Sequence, residues 1–260
     1  MNAEVVPSTD RDQGFRLGLA SSGRTGLLAL MVAAFIGLGL LDGAGGVLWT
    51  DVIDAFGVSK GVFGLLSGLG LAVSFPILLF GGRLAERFDK RLLLAVSFLG
   101  MGLASLGLFT GAGGVVLFAL SLIVRASSIT LLDLSNNALA MDYEQQTGRH
   151  IMSPLHAGFS GGTMLGAGVV WLALAAGGGF RAVYIGLAAL FVMAALWTTR
   201  LRRATLVQHR SPARSGGSSI ALSLLRRSDV RWFAAITGLA FGGEALISQW
   251  AGIYLREERD

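Results

Sequence analysis

Seven long apolar stretches, separated by short polar or glycine-rich breaks, dominate the hydrophobic pattern along the 260 residues of the chain. A helix needs about 20 apolar residues to cross the hydrocarbon core of a bilayer, and each stretch has about that length. The seven stretches cover residues 26–50, 61–82, 92–109, 115–140, 154–176, 182–199 and 232–254. The pattern therefore predicts an all-α integral membrane protein with seven transmembrane helices.

Two glycine-rich breaks divide apolar sequence that would otherwise be too long for a single span. No charged residue lies between Leu92 and Val124, and the run is interrupted at 110–114 by Thr-Gly-Ala-Gly-Gly. A second break, at 177–179, separates the fifth stretch from the sixth. Glycine clusters favour turns, so both breaks predict tight helical hairpins.

Glycine is unusually frequent, at 38 of 260 residues, which is about twice its average share of ~7%. In the fifth stretch, glycines recur every fourth residue at Gly158, Gly162 and Gly166. Small residues at that spacing let two helices approach closely in lipid. We therefore expect the fifth helix to pack tightly against a neighbour.

The rest of the composition excludes several classes of function. Charged residues make up only 14% of the chain, against about 25% in soluble domains, which rules out an ordinary soluble enzyme. There is no cysteine and there are three histidines, so we expect no disulfide, no metal site and no cofactor. The sequence also shows no nucleophile–base pair and no phosphate-cradling loop, so an enzyme is not predicted.

The distribution of lysine and arginine predicts the orientation in the membrane. If the N-terminus lies inside, 16 of the 21 basic residues fall in inside segments, four fall outside and Arg125 lies within a span. Basic residues favour the cytoplasmic side, so this split predicts a multi-pass protein of a bacterial inner membrane with a cytoplasmic N-terminus. The basic excess is then a topology signal beside the lipid bilayer, and no nucleic-acid partner is expected.

The order of spans and polar segments suggests a six-helix half followed by the start of another. We expect a cytosolic tail (1–25), an N-terminal six-helix half (26–199), a basic cytosolic linker (200–231) and a seventh helix that begins an incomplete second half (232–260). Because the chain stops just after a span, we expect it to be truncated. The full-length protein is expected to be a monomer.

Charged side chains inside the predicted spans mark the candidate functional site, because a charge within a bilayer is costly. They are Asp42 in the first span, Arg125 and Asp133 in the fourth, and Glu244 in the seventh. These spans are three apart, as expected for three-helix repeats whose first helices line a polar passage. We therefore predict a passage for a solute and protons between spans 1, 4 and 7.

The fourth span carries a cluster of polar side chains, since Asp133, Asn136 and Asn137 are spaced to share one helix face. This face could bind a hydroxylated solute, and Asp133 could carry a proton. Alternatively, Asp133 pairs with Arg125 two turns away or hydrogen-bonds a neighbouring helix. Asp42 precedes a glycine-rich stretch, where it either lines the passage or marks a local distortion of the helix.

Polar residues of the seventh span form a second candidate surface. Glu244, Gln249 and Trp250 lie within two turns and could contact a solute together. The alternative for Trp250 is a place in the aromatic belt at the membrane interface. His156, at the start of the fifth span, is either a boundary histidine or a proton relay.

The loop between spans 2 and 3 reads Gly-Arg-Leu-Ala-Glu-Arg-Phe-Asp-Lys-Arg over residues 82–91. In order, spacing and position it resembles the signature loop of the major facilitator superfamily. The resemblance implies that the glycine lets span 2 approach the other half, and that the charged residues latch the inner gate. Glu86 replaces the usual Asp, and Asp89 replaces the usual Gly, which makes the turn less easy. The implied gating residues are Gly82, Arg83, Glu86, Arg87, Asp89, Lys90 and Arg91.

Segments 132–137, 148–160 and 244–256 resemble the fucose-permease-like branch of that superfamily, in particular bacterial members of unassigned substrate. This resemblance implies that Asp133 serves proton coupling. The implied function is secondary active transport of a small polar solute, such as a carbohydrate, with protons and by alternating access. The alternatives are an exporter of drugs or metabolites, and a non-transporting membrane receptor or assembly protein.

Overall fold

The computed structural model describes residues 10–201 and 226–258, and seven long helices account for nearly all of them. We number the helices in chain order. They are α1 (Asp10–Phe56), α2 (Lys60–Arg87), α3 (Lys90–Thr110), α4 (Gly114–Thr147), α5 (Met152–Ala175), α6 (Phe180–Arg200) and α7 (Ser228–Glu257). All seven are long and apolar enough to cross a membrane, so the predicted all-α membrane bundle is confirmed.

The helices extend beyond the apolar stretches from which they were predicted. The first begins at Asp10, so residues 10–25 of the predicted tail continue α1. The fourth runs on to Thr147. Hydropathy marks the part of a helix that needs lipid, whereas the backbone hydrogen bonds can continue into polar sequence. Residues 1–9 of the predicted tail and 202–225 of the predicted linker lie outside the described residues.

Both predicted glycine breaks are tight turns. Gly111 ends α3 with a left-handed backbone, at a φ of 53°, and Gly113 precedes α4 at a φ of 92°. Gly177, between α5 and α6, has a φ of 77°. Residues with a Cβ rarely adopt these angles, so glycine at these three positions permits each reversal of the chain.

The helices pack in a bundle whose buried side chains lie mainly between α1, α3, α4 and α6. The most extensive contacts join α1 to α5, α3 to α4 and α6, and α2 to α4, and α7 lies against α1. Large apolar side chains point outward, for example Met164 on α5 and Leu239 on α7, which are 77% and 78% exposed. Such a surface is suited to lipid, because exposing so large an apolar area to water would be unfavourable.

The crossing of α1 and α5 is built on glycine, which confirms the prediction for the fifth helix. A Cβ at Gly162 would collide with the backbone of Ile36, and a Cβ at Gly43 would collide with that of Thr163. The crossing glycines are Gly39 and Gly43 of α1 and Gly162 and Gly166 of α5. The contribution of α1 was not predicted, although Gly39 and Gly43 are four residues apart, like the glycines of α5.

Two ends of the bundle can be distinguished by their composition. The basic end contains the α2–α3 loop, the α4–α5 loop and the C-terminal end of α6. The opposite end contains the glycine turns after α3 and α5 and the short connection from α1 to α2. These names are used below.

Candidate functional site

Asp133 lies in a polar cluster formed by α4 and α5. The Asn137 side-chain amide, one turn further along α4, donates a hydrogen bond to Asp133 Oδ1 at 2.9 Å. His156 of α5 interacts electrostatically with the Asp133 carboxyl group. The imidazole ring of His156 packs on Phe35 of α1, with 4.9 Å between ring centroids. The cluster thus combines a carboxyl, an amide and an imidazole where three helices meet.

Asn136 is adjacent in sequence but faces a different helix. It is fully buried, and its amide donates to the backbone oxygen of Met31 on α1 at 3.1 Å. Its Oδ1 atom has no hydrogen-bond partner in the described part of the chain. Asn136 therefore links α4 to α1, whereas Asp133 and Asn137 form the polar pair beside α5.

Arg125 forms a second cluster with two residues of α1, on the half of α4 nearer the opposite end. Its guanidinium carbon lies 5.2 Å from the ring centroid of Trp49. Asp42, two turns before Trp49 on α1, interacts electrostatically with Arg125. Within residues 10–201 and 226–258, neither Asp42 nor Asp133 forms an ion pair with Arg125 within 4.0 Å. The alternative in which Arg125 and Asp133 pair directly is thus not the observed arrangement.

Tyr184 of α6 adds a hydroxyl group that sequence reasoning missed. The side chain is 1% exposed, and its hydroxyl has no hydrogen-bond partner among the described residues. Tyr184 interacts electrostatically with Arg125. One tyrosine in an apolar span carries no spacing signal, and only the helix packing shows which charge it approaches. Trp49 was missed for the same reason.

The polar residues of α7 contact α2 rather than the charged residues of α4. Gln249 Nε2 donates to Ser67 Oγ at 2.8 Å. The Trp250 ring lies 5.6 Å from that of Phe63, measured between centroids. Glu244 is exposed, and no ion pair to it occurs in the described part of the chain. Trp250 is thus connected to Arg125 through the rings of Phe63 and Trp49.

At the opposite end, α7 is in direct contact with α1. Arg256 Nη1 donates to Asp51 Oδ1 at 2.9 Å. Gly252 lies so close to the Gly46 backbone oxygen that a Cβ at residue 252 would collide with it. This contact was not predicted, because it joins residues about 200 positions apart.

The loop predicted to latch a gate is a two-residue connection at the basic end. Asp89 caps the N-terminus of α3, since its carboxylate accepts a hydrogen bond from Arg91 N at 3.0 Å. The Arg91 side chain pairs with Asp89 at 2.9 Å and donates to the Leu201 backbone oxygen at 2.8 Å. Asp89 has a φ of −62°, so the position requires no left-handed geometry. Asp in place of the usual glycine is explained by this capping role.

The other charged residues of the loop fall into two groups. Lys90 forms an ion pair with Asp142 near the end of α4. Arg83, Glu86 and Arg87 are exposed. Nothing in the described residues would lie within 4 Å of a Cβ at Gly82. The α3 side of the loop is thus fixed to its own bundle, and the α2 side presents an open charged face.

The chemistry available to the site is binding and proton exchange. In the described parts of the chain, no group of three or more His, Asp or Glu residues could hold a metal ion. The side chains that interact are two carboxyl groups, a guanidinium, an imidazole, an amide and a phenol. They belong to α1, α4, α5 and α6, and each of these helices supplies at least one of them within its membrane-spanning part.

Comparisons with known proteins agree with this architecture. Residues 13–260 match the family model described as Major Facilitator Superfamily. The chain is also similar to a protein of Sinorhizobium fredii (strain NBRC 101917 / NGR234) that bears the name "Uncharacterized transporter y4wD". The two are 30% identical over an alignment of 235 residues, and the match covers 87% of this chain and 58% of the relative, so the chain spans little more than half of the relative's length. No solved structure matches the chain.

Proposed function

We propose, because the chain belongs to the Major Facilitator Superfamily of membrane transporters, that it works as a secondary active transporter of a small polar solute. Transport would proceed by alternating access and would be coupled to protons. The proposed partners are the solute, protons and the surrounding bilayer. The resemblance to fucose-permease-like proteins supports uptake with protons over export.

The main support for the proposal is that ionisable side chains interact electrostatically across helix boundaries within the membrane-spanning region. Arg125 of α4 faces Asp42 of α1, and Asp133 of α4 faces His156 of α5. Charges at this depth are retained in proteins where they bind a solute or an ion, because they would otherwise only destabilise the bundle. Two such pairs on one helix support a transport path along α4.

The proposed orientation places the basic end in the cytoplasm. The α2–α3 loop at that end carries four basic residues within 83–91, and basic loops favour the cytoplasmic side of bacterial inner membranes. The N-terminus is then cytoplasmic as well. The exposed charged face of Arg83, Glu86 and Arg87 would meet helices of a second half whenever the cytoplasmic side closes.

The proposed proton carrier is Asp133. Its carboxyl group has a hydrogen-bond donor in Asn137 and an electrostatic partner in His156. An imidazole can accept or return a proton near neutral pH, so His156 is suited to relay protons to and from Asp133. This assigns His156 the relay role that the sequence left open.

The test is solute accumulation against its gradient in vesicles with an imposed pH gradient. Asp133→Asn is expected to abolish accumulation but to keep solute exchange at equal concentrations, because the amide cannot carry the proton. The matched control is Asp54→Asn, which changes an exposed aspartate at the end of α1 and is expected to leave accumulation unchanged. If the Asp133→Asn variant accumulates solute to the wild-type level, Asp133 is not the proton carrier. The direction of flux in the same vesicles separates uptake from export.

A further inference from the structure

We infer that the transported solute carries a carboxylate, which binds Arg125 at a site completed by Trp49 and Tyr184. The inference rests on the proposed transport function and narrows its substrate class. It depends on three features of the described residues: the unused donors of Arg125, the aromatic wall beside them and an unpartnered buried hydroxyl. The sequence alone suggested a small polar solute, such as a carbohydrate.

The first feature is that Arg125 has donors without acceptors. A guanidinium has five N–H groups in a planar fork. Within residues 10–201 and 226–258, Arg125 donates no hydrogen bond, and its close contact is the face of the Trp49 ring. The side chain is half-buried, so part of it is open to a ligand. In a membrane interior, polar groups without partners are costly, which favours an arrangement in which a ligand supplies the acceptors.

The second feature is the aromatic wall formed by Trp49. Its indole is 3% exposed and packs against Phe63 of α2, with 4.9 Å between ring centroids. This packing restricts the indole, which in turn limits where the Arg125 side chain can lie. A cation on an aromatic face still offers the N–H groups at its edge, so Trp49 positions Arg125 without using its hydrogen bonds.

The third feature is the Tyr184 hydroxyl, which has no partner in the described part of the chain although it is buried. A buried hydroxyl without a hydrogen bond is destabilising, and such groups are commonly completed by a ligand or water. The hydroxyl is near enough to Arg125 to interact with its charge. The Tyr184 hydroxyl and the Arg125 guanidinium therefore interact electrostatically, and neither has a hydrogen-bond acceptor among the described residues.

Charge and geometry indicate which anion fits. Guanidinium donors match the two oxygens of a carboxylate as parallel hydrogen bonds. Arg125 is a single cation and the Asp42 carboxyl group interacts with it electrostatically, so each further negative charge on a ligand is less favourable, which favours a monoanion over a dianion such as a phosphate monoester. A monocarboxylate satisfies both conditions, since the carboxylate binds Arg125 and a hydroxyl group next to it can pair with the unpartnered Tyr184 hydroxyl. The solute class is therefore a small hydroxy acid.

The test compares acids with neutral polyols of matched size, in binding to the purified protein in detergent. The pairs are gluconate with glucitol, glycerate with glycerol, and lactate with propane-1,2-diol. We expect at least one acid to bind at least tenfold more tightly than its polyol, and to change tryptophan fluorescence in a way that Trp49→Phe removes. Arg125→Gln should weaken binding of that acid about 10- to 100-fold, as expected for loss of a charge-assisted pair. Tyr184→Phe should weaken it by about 3- to 10-fold.

The matched control is Arg181→Gln, which removes another cation from an aromatic face, that of Phe180 at 5.1 Å, outside the site. It should leave acid binding unchanged. If Arg125→Gln does not fold, Arg125→Lys, which keeps the charge but loses the fork, should still weaken binding. The ratio of acid affinity to polyol affinity in the wild-type protein tests the inference without the use of any variant.

Equal binding of acids and polyols, or no binding of either series, would overturn the inference. Flux in vesicles is measured separately, so the two proposals can fail independently. If polyols accumulate in a way that depends on Asp133 and no acid binds, the transport proposal stands and the carboxylate site is refuted. If an acid binds through Arg125 but is not carried across the membrane, the carboxylate site stands and the transport proposal is refuted.

Discussion

The contact between Gly46 and Gly252 offers a direct way to test the two access states that the proposed mechanism requires. A Cβ at residue 252 would collide with the Gly46 backbone oxygen, and it would also lie 3.2 Å from the Gly46 carbonyl carbon and 3.9 Å from Val47 Cα. All three atoms belong to the backbone, so no side chain can rotate away. Gly252→Val must therefore separate α7 from α1 at the opposite end, which the proposed orientation places outside.

The size of the effect follows from the cost of overpacking. Inserting bulk into a packed contact costs about 1–3 kcal/mol. If that cost falls only on the state in which α7 touches α1, the population of the separated state rises about 5- to 150-fold. The ion pair of Arg256 with Asp51 opposes the separation only weakly, because exposed pairs contribute about 0.2–1 kcal/mol.

Cysteine labelling can measure the separation, because the chain contains no cysteine. Ser67→Cys introduces a thiol at the atom that accepts a hydrogen bond from Gln249. A water-soluble maleimide applied from outside should label this thiol about 5- to 150-fold faster in the Gly252→Val background. Gly238→Val is the control, since a Cβ there would meet nothing within 4 Å among the described residues. Equal labelling rates in both backgrounds would refute the claim that this contact closes the outer side.

Two further predictions concern stability. Asp89→Ala removes the cap of α3 and should lower the free energy of unfolding by about 1 kcal/mol, measured by denaturant titration in detergent; a change within error would show that the cap is dispensable. Gly162→Val should destabilise the α1–α5 crossing by about 1–3 kcal/mol, whereas Gly158→Ala, with its neighbouring side-chain atom at 3.7 Å, should be tolerated. Equal thermal stability of these two glycine variants would contradict the crossing geometry.

The helices and turns could be predicted from the sequence because their signals are local. Apolar length and glycine clusters are properties of contiguous residues, so all seven spans and both turns were located, although α1 and α4 extend well beyond the predicted stretches. The polar face of α4 could be predicted only in part, because the contacts of each residue depend on the neighbouring helices. Asn136 and Asn137 differ by about 100° around the helix axis, and only the position of α1 decides that Asn136 is buried there.

The residues that complete the site could not be predicted, because their roles depend on contacts between distant segments. Trp49 and Tyr184 are ordinary aromatic residues of apolar helices until Arg125 is placed beside them. The loop shows the converse case. The sequence predicted that Asp89, in place of the usual glycine, makes the turn less easy. In the structure Asp89 has an extended backbone, and its carboxylate accepts a capping hydrogen bond.

The arrangement of the two pairs of ionisable side chains suggests how solute and proton can influence each other without direct contact. Arg125 and Asp133 lie eight residues apart on α4, which is about 12 Å along a helix. Their partners, Asp42 and His156, belong to α1 and α5, the two helices that the glycine crossing holds together. A shift of α4 against this joined pair changes both electrostatic contacts at once. Under the proposals above, an anion at Arg125 would therefore bias the position of α4, and so the charge that Asp133 must carry.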